Sequence, residues 1–541
     1  MITRRTLLAH LATTSILGRL PLGAMAVASR WDVVDFGATG DGRTLDTVAV
    51  QAAINTCNAA GGGVVYFPAG GNFLIGTVYL KSKVTLHVEA RARITGSSDM
   101  LHYGTDTGIN PYYPEPIDRC LIYARGASGI AIIGAGEIVG RGSEPYRPVP
   151  GASGRDAVQR PMLVRLENCE RIRISGLSLS HCGAWCIHLK NTIEFRIQHL
   201  LIENDGQDGI DIEGCQEGLI SDCQLRCGDD CIALITSSPD QPIRTITISN
   251  CHLQSRWAGV RFGPASKGNF EDIIVSNCIF YRCDGGGIKL GMFEGAEIRN
   301  CVFDNIVMDQ VTAPIIILIA TWPDIGSPDA NRKMMPVGKI HDLQFQGFQV
   351  NTGLAGPDSR PDQNGTMFFH GHPDSAITNV RITDVAVTFA GGGTMEDSQR
   401  RSIVDMNQID YRQGGYWTDD KSLWGIPPAY GLYARHMKGL SLTDVDFSFT
   451  KRDFRSPLAL FDSDRVYISR FSAQCTSGAA LVTARNCSDL VLASLDSQTK
   501  TVLLRLEGER SEQVSIIYND ERRYTKLFEC VDGAKTSAIQ K

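Results

Sequence analysis

Short segments of alternating apolar and polar residues recur along most of the chain. They include Ser128–Ile138, Arg171–Leu179, Glu194–Ile202, Gly218–Leu225, Arg244–Leu253, Glu271–Phe280, Ala296–Phe303, Lys339–Phe345, Thr378–Val387, Lys438–Phe447, Asp464–Phe471 and Asp489–Leu495. Each holds a few β-branched or leucine positions and is bounded by Gly, Asn, Asp or Ser, the signature of a short strand between turns. Where no insertion intervenes the spacing is 23–27 residues, as from Ile172 to Phe195 and from Ile246 to Ile273. No long helical period lies between the segments, which excludes leucine-rich and βαβ arrays. The expected fold is all-β, a single-stranded parallel β-helix (a solenoid of three sheets) forming one domain over residues 31–541.

The chain before the repeat reads differently. Thr44 to Ala59 has helical spacing, with Val48, Ala52 and Cys57 among its apolar positions, and ends at Gly61-Gly62-Gly63. Strand-like runs follow at Val64–Phe67, Phe73–Ile75, Val78–Leu80 and Val84–Val88. A helix here suits an N-terminal cap over the open end of the solenoid. Loop insertions are expected at 101–118, 141–160, 320–337, 351–375 and 390–436. The last carries Tyr411, Tyr416, Trp417, Trp424 and Tyr430, aromatic rings that either stack on sugars or pack the loop onto the body.

Residues 1–30 read as an export signal. Arg4-Arg5 precedes Leu7-Leu8 and a moderately apolar stretch, with small residues at Ala24 to Ala28 for cleavage, a pattern resembling a twin-arginine signal. No later stretch has the roughly 18 apolar residues of a membrane span, so a periplasmic or extracellular location is expected. The net charge of −6 and the lack of a Lys/Arg cluster argue against a nucleic-acid partner. Sixteen cysteines in an exported chain would ordinarily mean disulfides. Here Asn-Cys recurs at Asn168-Cys169, Asn250-Cys251, Asn277-Cys278, Asn300-Cys301 and Asn486-Cys487, which predicts thiols stacked inside one turn of successive coils. Cys182/Cys186 and Cys227/Cys231 have no His-rich partner, so no zinc site is expected from them.

Candidate chemistry concentrates between Glu203 and Ile235. Asp208 and Asp211 are followed by the doublet Asp229-Asp230, with Asp208 and Asp229 21 residues apart. Residues one coil apart lie roughly 4.8 Å from each other, so four acids share one patch. Crowded carboxylates raise the pKa of at least one member, and an acid kept protonated beside a base kept ionised is what glycosidic hydrolysis requires. The same cluster is compatible with calcium.

These residues also carry a family resemblance. Asp208-Gly209-Ile210-Asp211 and Gly228-Asp229-Asp230-Cys231 resemble the central motifs of the polygalacturonases, glycoside hydrolase family 28. Trp185, Ile187-His188, the opening Val34-Asp35-Phe36-Gly37-Ala38 and Ile426-Pro427-Pro428 resemble the bacterial branch. The resemblance implies a right-handed parallel β-helix that hydrolyses pectic polysaccharides with inversion and without a cofactor or metal. It implies Asp229 as the general acid and Asp208 and Asp230 as the pair that activates water. Lys289, Arg261 and His188 are the expected substrate-binding residues, and Asp211 is expected to bond its turn. The chain departs from the family where Ala258 stands for a histidine and Gly287 for an arginine. Those losses favour a rhamnogalacturonan-like glycan over plain polygalacturonate. Two other readings remain open: a calcium-dependent lyase on the same fold, and a non-catalytic saccharide-binding solenoid. A monomer is expected.

Overall fold

The computed structural model describes residues 29–105, 119–141, 160–324, 333–353, 365–401, 403, 405 and 426–540. The chain winds as stacked parallel coils. Each coil adds one strand to a 15-stranded parallel sheet, and the other strands join in a 26-stranded surface. That surface contains two parallel ladders, as where Glu170–Ser175 stacks on Ile193–Gln198 and Ser178–Ser180 on Leu201–Asn204. From Phe270–Cys283 to Asp464–Ala473, one long bent strand serves both ladders on each coil. The helix therefore has three faces around one core.

The bend between the two ladders has a local cause. Asp222, Asn250, Asn277 and Asn305 occupy it with φ of 57°, 54°, 54° and 53°. Among residues with a side chain, Asn and Asp tolerate this left-handed conformation best. Their amides then run along the stack: Asn250 Nδ2 donates to Asp222 Oδ1 at 3.1 Å, and Asn305 Nδ2 to Asn277 Oδ1 at 2.7 Å. Similar ladders form where the chain passes from the 15-stranded sheet to the first ladder: Asn486 donates to Asp462 and, three positions further along the coil, Asn379 donates to Asp342.

This geometry corrects the expectation of one Asn-Cys turn. Asn250-Cys251 and Asn277-Cys278 sit at the bend between the ladders, Asn300-Cys301 at the corner of Asp272, and Asn168-Cys169 and Asn486-Cys487 after the 15-stranded sheet. At these positions a left-handed residue is followed by a side chain turning inward, Cys on some coils and Ile, Leu or Val on others. Cys301 continues a core column formed by Ile246, Ile273, Leu343 and Val380. It is thus a small hydrophobe in an aliphatic stack, where burying each larger neighbour contributes about 1.5–3 kcal/mol. None of the sixteen cysteines is paired, fifteen are buried, and burial pushes the thiols of Cys301 and Cys487 up to about 12.

Helix α1 (Thr47–Ala59) closes the N-terminal end, burying Ala49, Val50, Ala53, Ile54 and Cys57. It starts later than expected because Asp41–Leu45 forms a strand, and Val48 points to solvent at 81% exposure. No described helix is long and apolar enough to cross a membrane.

Most of the expected insertions fall outside the described residues, together with residues 1–28, Tyr411, Tyr416, Trp417 and Trp424. The boundaries 351–375 and 390–436 need correction, since they contain the sheet strands Met367–His370 and Ala429–Arg435. Tyr430 is fully buried in the second of these and donates its hydroxyl to Gln474 O at 2.7 Å, so it packs the body rather than a sugar.

Buried thiols and an absence of cross-links lead to a direct expectation. Denatured without reductant, the protein exposes sixteen titratable thiols; fewer than half reacting would mean that disulfides hold the coils.

Candidate active site

Consecutive strands of the 15-stranded sheet carry the site: β1 (Met162–Glu167), β2 (Ile187–Lys190), β3 (Ile210–Glu213), β4 (Ile232–Thr236), β5 (Ala258–Ser266), β6 (Gly286–Met292), β7 (Ile315–Ile319), β8 (Met367–His370) and β9 (Ala429–Arg435). Their apolar residues alternate into the core, as Ile187, Ile210, Ile232, Val260 and Ile288 do in register. One outward column consequently runs Arg165, His188, Asp211, Ala233, Arg261, Lys289, Ile316, Phe368 and Tyr433.

The register changes which acids are stacked. Ile210 pairs with Ile232, so Asp208 lies one coil from Asp230 rather than from Asp229. Asp230 N donates to Asp208 Oδ1 at 3.1 Å, and Gly209 N donates to Asp230 O at 3.0 Å. Asp229 occupies the turn just before β4, held through its carbonyl, which accepts the Ser255 hydroxyl at 2.5 Å. Gly228 makes that turn possible, because a Cβ there would lie 2.0 Å from Asp205 O. Asp208, Asp229 and Asp230 bring carboxylate oxygens within 4.8 Å of one another. This is closer than the roughly 6.5–9.5 Å expected of an inverting pair. The crowding arises because two of the three acids belong to directly stacked positions.

Depth distinguishes the three. Asp208 and Asp230 are 7% and 4% exposed, whereas Asp229 is half-buried and reaches further out. Burial, then the charges of Asp211, Asp229 and Asp230, pushes Asp208 well above the usual carboxylate range. Asp230 is held differently: its Oδ1 accepts the Ala258 amide at 3.1 Å, and its Oδ2 faces Arg261 Nη1 at 3.5 Å. An amide donor and a guanidinium both favour the ionised form.

Asp211 does not bond its turn. It is 1% exposed, and neither carboxylate oxygen accepts a hydrogen bond from a described donor. Burial also pushes it well above the ordinary range, and its near neighbour is the carboxyl of Asp208. Two such groups hydrogen-bond only when one is protonated, so the pair retains a proton to unusually high pH.

Of the expected substrate-binding residues, Arg261 and Lys289 are adjacent on β5 and β6, both 3% exposed. Lys289 Nζ lies 4.0 Å from the centre of the Trp257 ring, a cation–π contact. Gly286 leaves room for the lysine stem, since a Cβ there would meet Lys289 Cε at 3.2 Å. Arg256 is exposed to solvent instead. His188 requires correction as a sugar ligand: its side chain is fully buried, edge-on to Trp185, with Nε2 3.0 Å from Glu213 Oε2. Burial holds its pKa down to about 4, while His188 and Lys190 hold Glu213 well below the usual range. His188 therefore supports the floor of the site beside Asp211. Ala258, at the position of the family histidine, contributes its amide to Asp230. Glu213 and Trp257 are site residues that the motifs did not single out.

Apolar clusters close the outward column on both sides. Beyond Lys289, Ile316, Phe368 and Tyr433 are buried with Phe293, Trp322 and Ile403. Toward the N terminus, Tyr123, Met162, Ala184 and Trp185 form a second patch. The acids and the two cations lie between these clusters.

The description "Glycosyl hydrolases family 28" matches residues 57–352. A "Probable polygalacturonase" of Vitis vinifera is 27% identical over 299 residues, covering 51% of this chain. The chain spans about 60% of the length of that relative. The Yersinia enterocolitica family 28 exopolygalacturonase is similar in structure, with a TM-score of 0.61 at 19% identity over 82% of this chain and 78% of that one. A hyperthermoactive exopolygalacturonase from Thermotoga maritima gives 0.57 at 20% identity, over 66% of this chain and 87% of that one. These likenesses show the fold, a right-handed parallel β-helix. The match to the family extends over more than half of the chain and includes the Asp208 and Asp229-Asp230 motifs, and the chain belongs to family 28 of the glycosyl hydrolases.

Proposed function

We propose that this chain is a glycosidase that hydrolyses a pectic polysaccharide or oligosaccharide by inverting acid/base catalysis. The observation that carries the reading is the convergence of Asp208, Asp229 and Asp230 at different depths in one cluster. Asp229, the most exposed of the three, donates its proton to the glycosidic oxygen as the bond to the anomeric carbon breaks. Asp230, kept ionised by Ala258 and Arg261, takes a proton from a water that attacks that carbon. Asp208 helps to orient the water, and its pair with Asp211 keeps a proton in the cluster at neutral pH.

Short carboxylate spacing by itself would fit a retaining pair. Depth argues for inversion: Asp208 and Asp230 are almost buried, so a water bridges them to the sugar more readily than either reaches the carbon directly.

The substrate reading rests on charge. A galacturonate beside the cleaved bond needs a matched cation, best a planar guanidinium. Gly287 offers none, Arg261 faces Asp230, and Lys289 is a point charge over Trp257. Losing a charge-assisted contact costs about 1.5–3 kcal/mol, or roughly ten- to hundredfold in affinity. A rhamnogalacturonan-like fragment is favoured over plain polygalacturonate. Attack near a chain end is the favoured mode, supported by the apolar clusters that flank the site on both sides. The twin-arginine-like segment supports a periplasmic or extracellular location, and that route suits a fold whose thiols are already buried.

Asp229→Asn and Asp208→Asn each lower turnover by at least roughly 10²-fold while the protein stays folded. Asp211→Asn moves the alkaline limb of the kcat/KM profile to lower pH, since one neighbouring negative charge is gone and Asp208 releases its proton earlier. Near-normal turnover in an Asp208 or Asp229 variant, or an unmoved limb, would remove the role given to that residue.

Stereochemistry is read by NMR of the first-formed product. An inverted anomer is expected, and a retained one would replace the attacking water with a carboxylate nucleophile.

On substrate, kcat/KM for a rhamnogalacturonan digest is expected to exceed that for polygalacturonate by at least roughly tenfold. Efficient cleavage of polygalacturonate, abolished by Arg261→Ala, would show that Arg261 supplies the missing guanidinium.

A further inference from the structure

A second cluster of ligating side chains lies on the same sheet, five coils beyond Asp211 and away from the acids. His370 ends β8, His436 follows β9, and Asp405 lies in the connection between those strands. One ligand atom from each lies within 4.8 Å of the other two. His436 Nε2 is 3.2 Å from Asp405 Oδ1 and 3.1 Å from Oδ2, and His370 Nε2 is 3.5 Å from Oδ1. A tetrahedral zinc with arms of about 2.0–2.1 Å holds its ligands about 3.3 Å apart, so these separations need little adjustment.

His370 points to a ligand independently. Its side chain is fully buried, yet among the described residues neither ring nitrogen finds a hydrogen-bond partner of good geometry. A buried imidazole carries one N–H and one lone pair, and leaving either unsatisfied costs about 1–3 kcal/mol. A metal at the centre of the three side chains would use the lone pair.

The surroundings accept a cation. Arg435 Nη2 binds Asp405 Oδ2 at 2.7 Å, which leaves Oδ1 turned toward the two imidazoles. The same guanidinium is neutralised by Asp462 through Nε at 3.0 Å. Asp405, Asp462 and Asp464 stand against Arg435 and Arg510 around a cavity of about 450 Å³ that opens beside His436, an excess of one negative charge. That opening supplies space for a water or other small ligand as a fourth donor.

We propose that His370, Asp405 and His436 form a binding site for one divalent transition-metal ion of the zinc type. The ion pins the Asp405 segment of the long connection between β8 and β9 to the sheet. Other contacts hold that segment in the same place: Arg401 makes a bidentate pair with Glu507, and Arg435 Nη1 donates to Ile403 O at 3.1 Å. Two imidazoles with a single carboxylate suit zinc and its neighbours, whereas calcium and magnesium require more oxygen donors.

The test strips the full chain with chelator and titrates it with Zn²⁺ by calorimetry, following Tm in parallel. One equivalent is expected to bind and to raise Tm, and Ca²⁺ and Mg²⁺ are expected not to displace it. His436→Gln and Asp405→Asn are each expected to weaken binding by at least tenfold, while Asp229→Asn binds as the parent does. The unaltered chain loaded with Co²⁺ gives a check that needs no variant, since visible bands of four-coordinate intensity are expected. Absence of stoichiometric binding, a six-coordinate cobalt spectrum, or undiminished binding in the His436 and Asp405 variants would overturn the proposal. So would loss of binding in Asp229→Asn, which would assign the ion to the acidic cluster.

Discussion

In-register stacking of parallel coils is the constraint on which the rest of the structure depends. A residue is brought to within a strand spacing, roughly 4.8 Å, of its counterpart one coil away. In the core this produces aliphatic columns and stacked rings such as Phe303 on Phe345, 4.8 Å apart and nearly parallel. At the corners it produces the amide ladders of Asn and Asp, which satisfy side-chain donors while the backbone turns through a left-handed residue. On the outer face of the 15-stranded sheet it produces the site. Asp208 and Asp230 adjoin because Ile210 and Ile232 do, and Arg261 and Lys289 adjoin because Val260 and Ile288 do.

Such stacking has an electrostatic consequence. A column of like charges cannot stay fully ionised at this spacing in a dry environment, and the four acids respond in two ways. Asp208 and Asp211 face each other in a buried setting, and the pair retains a proton. Asp230 has an amide and a guanidinium for company and is favoured as the anion. Neighbours inherited from the adjacent coils thus set a protonated Asp208–Asp211 pair apart from an anionic Asp230, and the more exposed Asp229, the proposed acid, stands beside them. The buried pair His188–Glu213, with Lys190 at 2.8 Å from the glutamate, holds the floor beside them.

Much of the fold was legible because the two ladders of the 26-stranded surface have one wet face, and their strands therefore alternate clearly. The 15-stranded sheet was harder to see. Ile315–Ile319 is buried at every position, and the strands at Met367–His370 and Ala429–Arg435 also lack a polar face, so they vanish into supposed insertions. The acids were found through their motif, but a sequence step of 21 assigns Asp208 to Asp229, whereas the hydrogen-bonded register assigns it to Asp230. His188 and Asp211 illustrate a second limit. Alternation places both on the outer face, and only the packing of Trp185 and the neighbouring coils shows that this part of the face is covered. His370, Asp405 and His436 are far apart in sequence and share no motif; coil register brings the two histidines together, and the connection between their strands delivers Asp405.

The central claim is that the acid cluster adds water across a glycosidic bond. Mass spectrometry of products formed from rhamnogalacturonan oligosaccharides in water labelled with heavy oxygen tests it most directly. One heavy oxygen at the new reducing end, absent in Asp229→Asn, is the predicted result. An unsaturated product lighter by one water, or a substrate bound but returned uncleaved, would contradict the account and make the site that of a lyase or of a saccharide-binding protein.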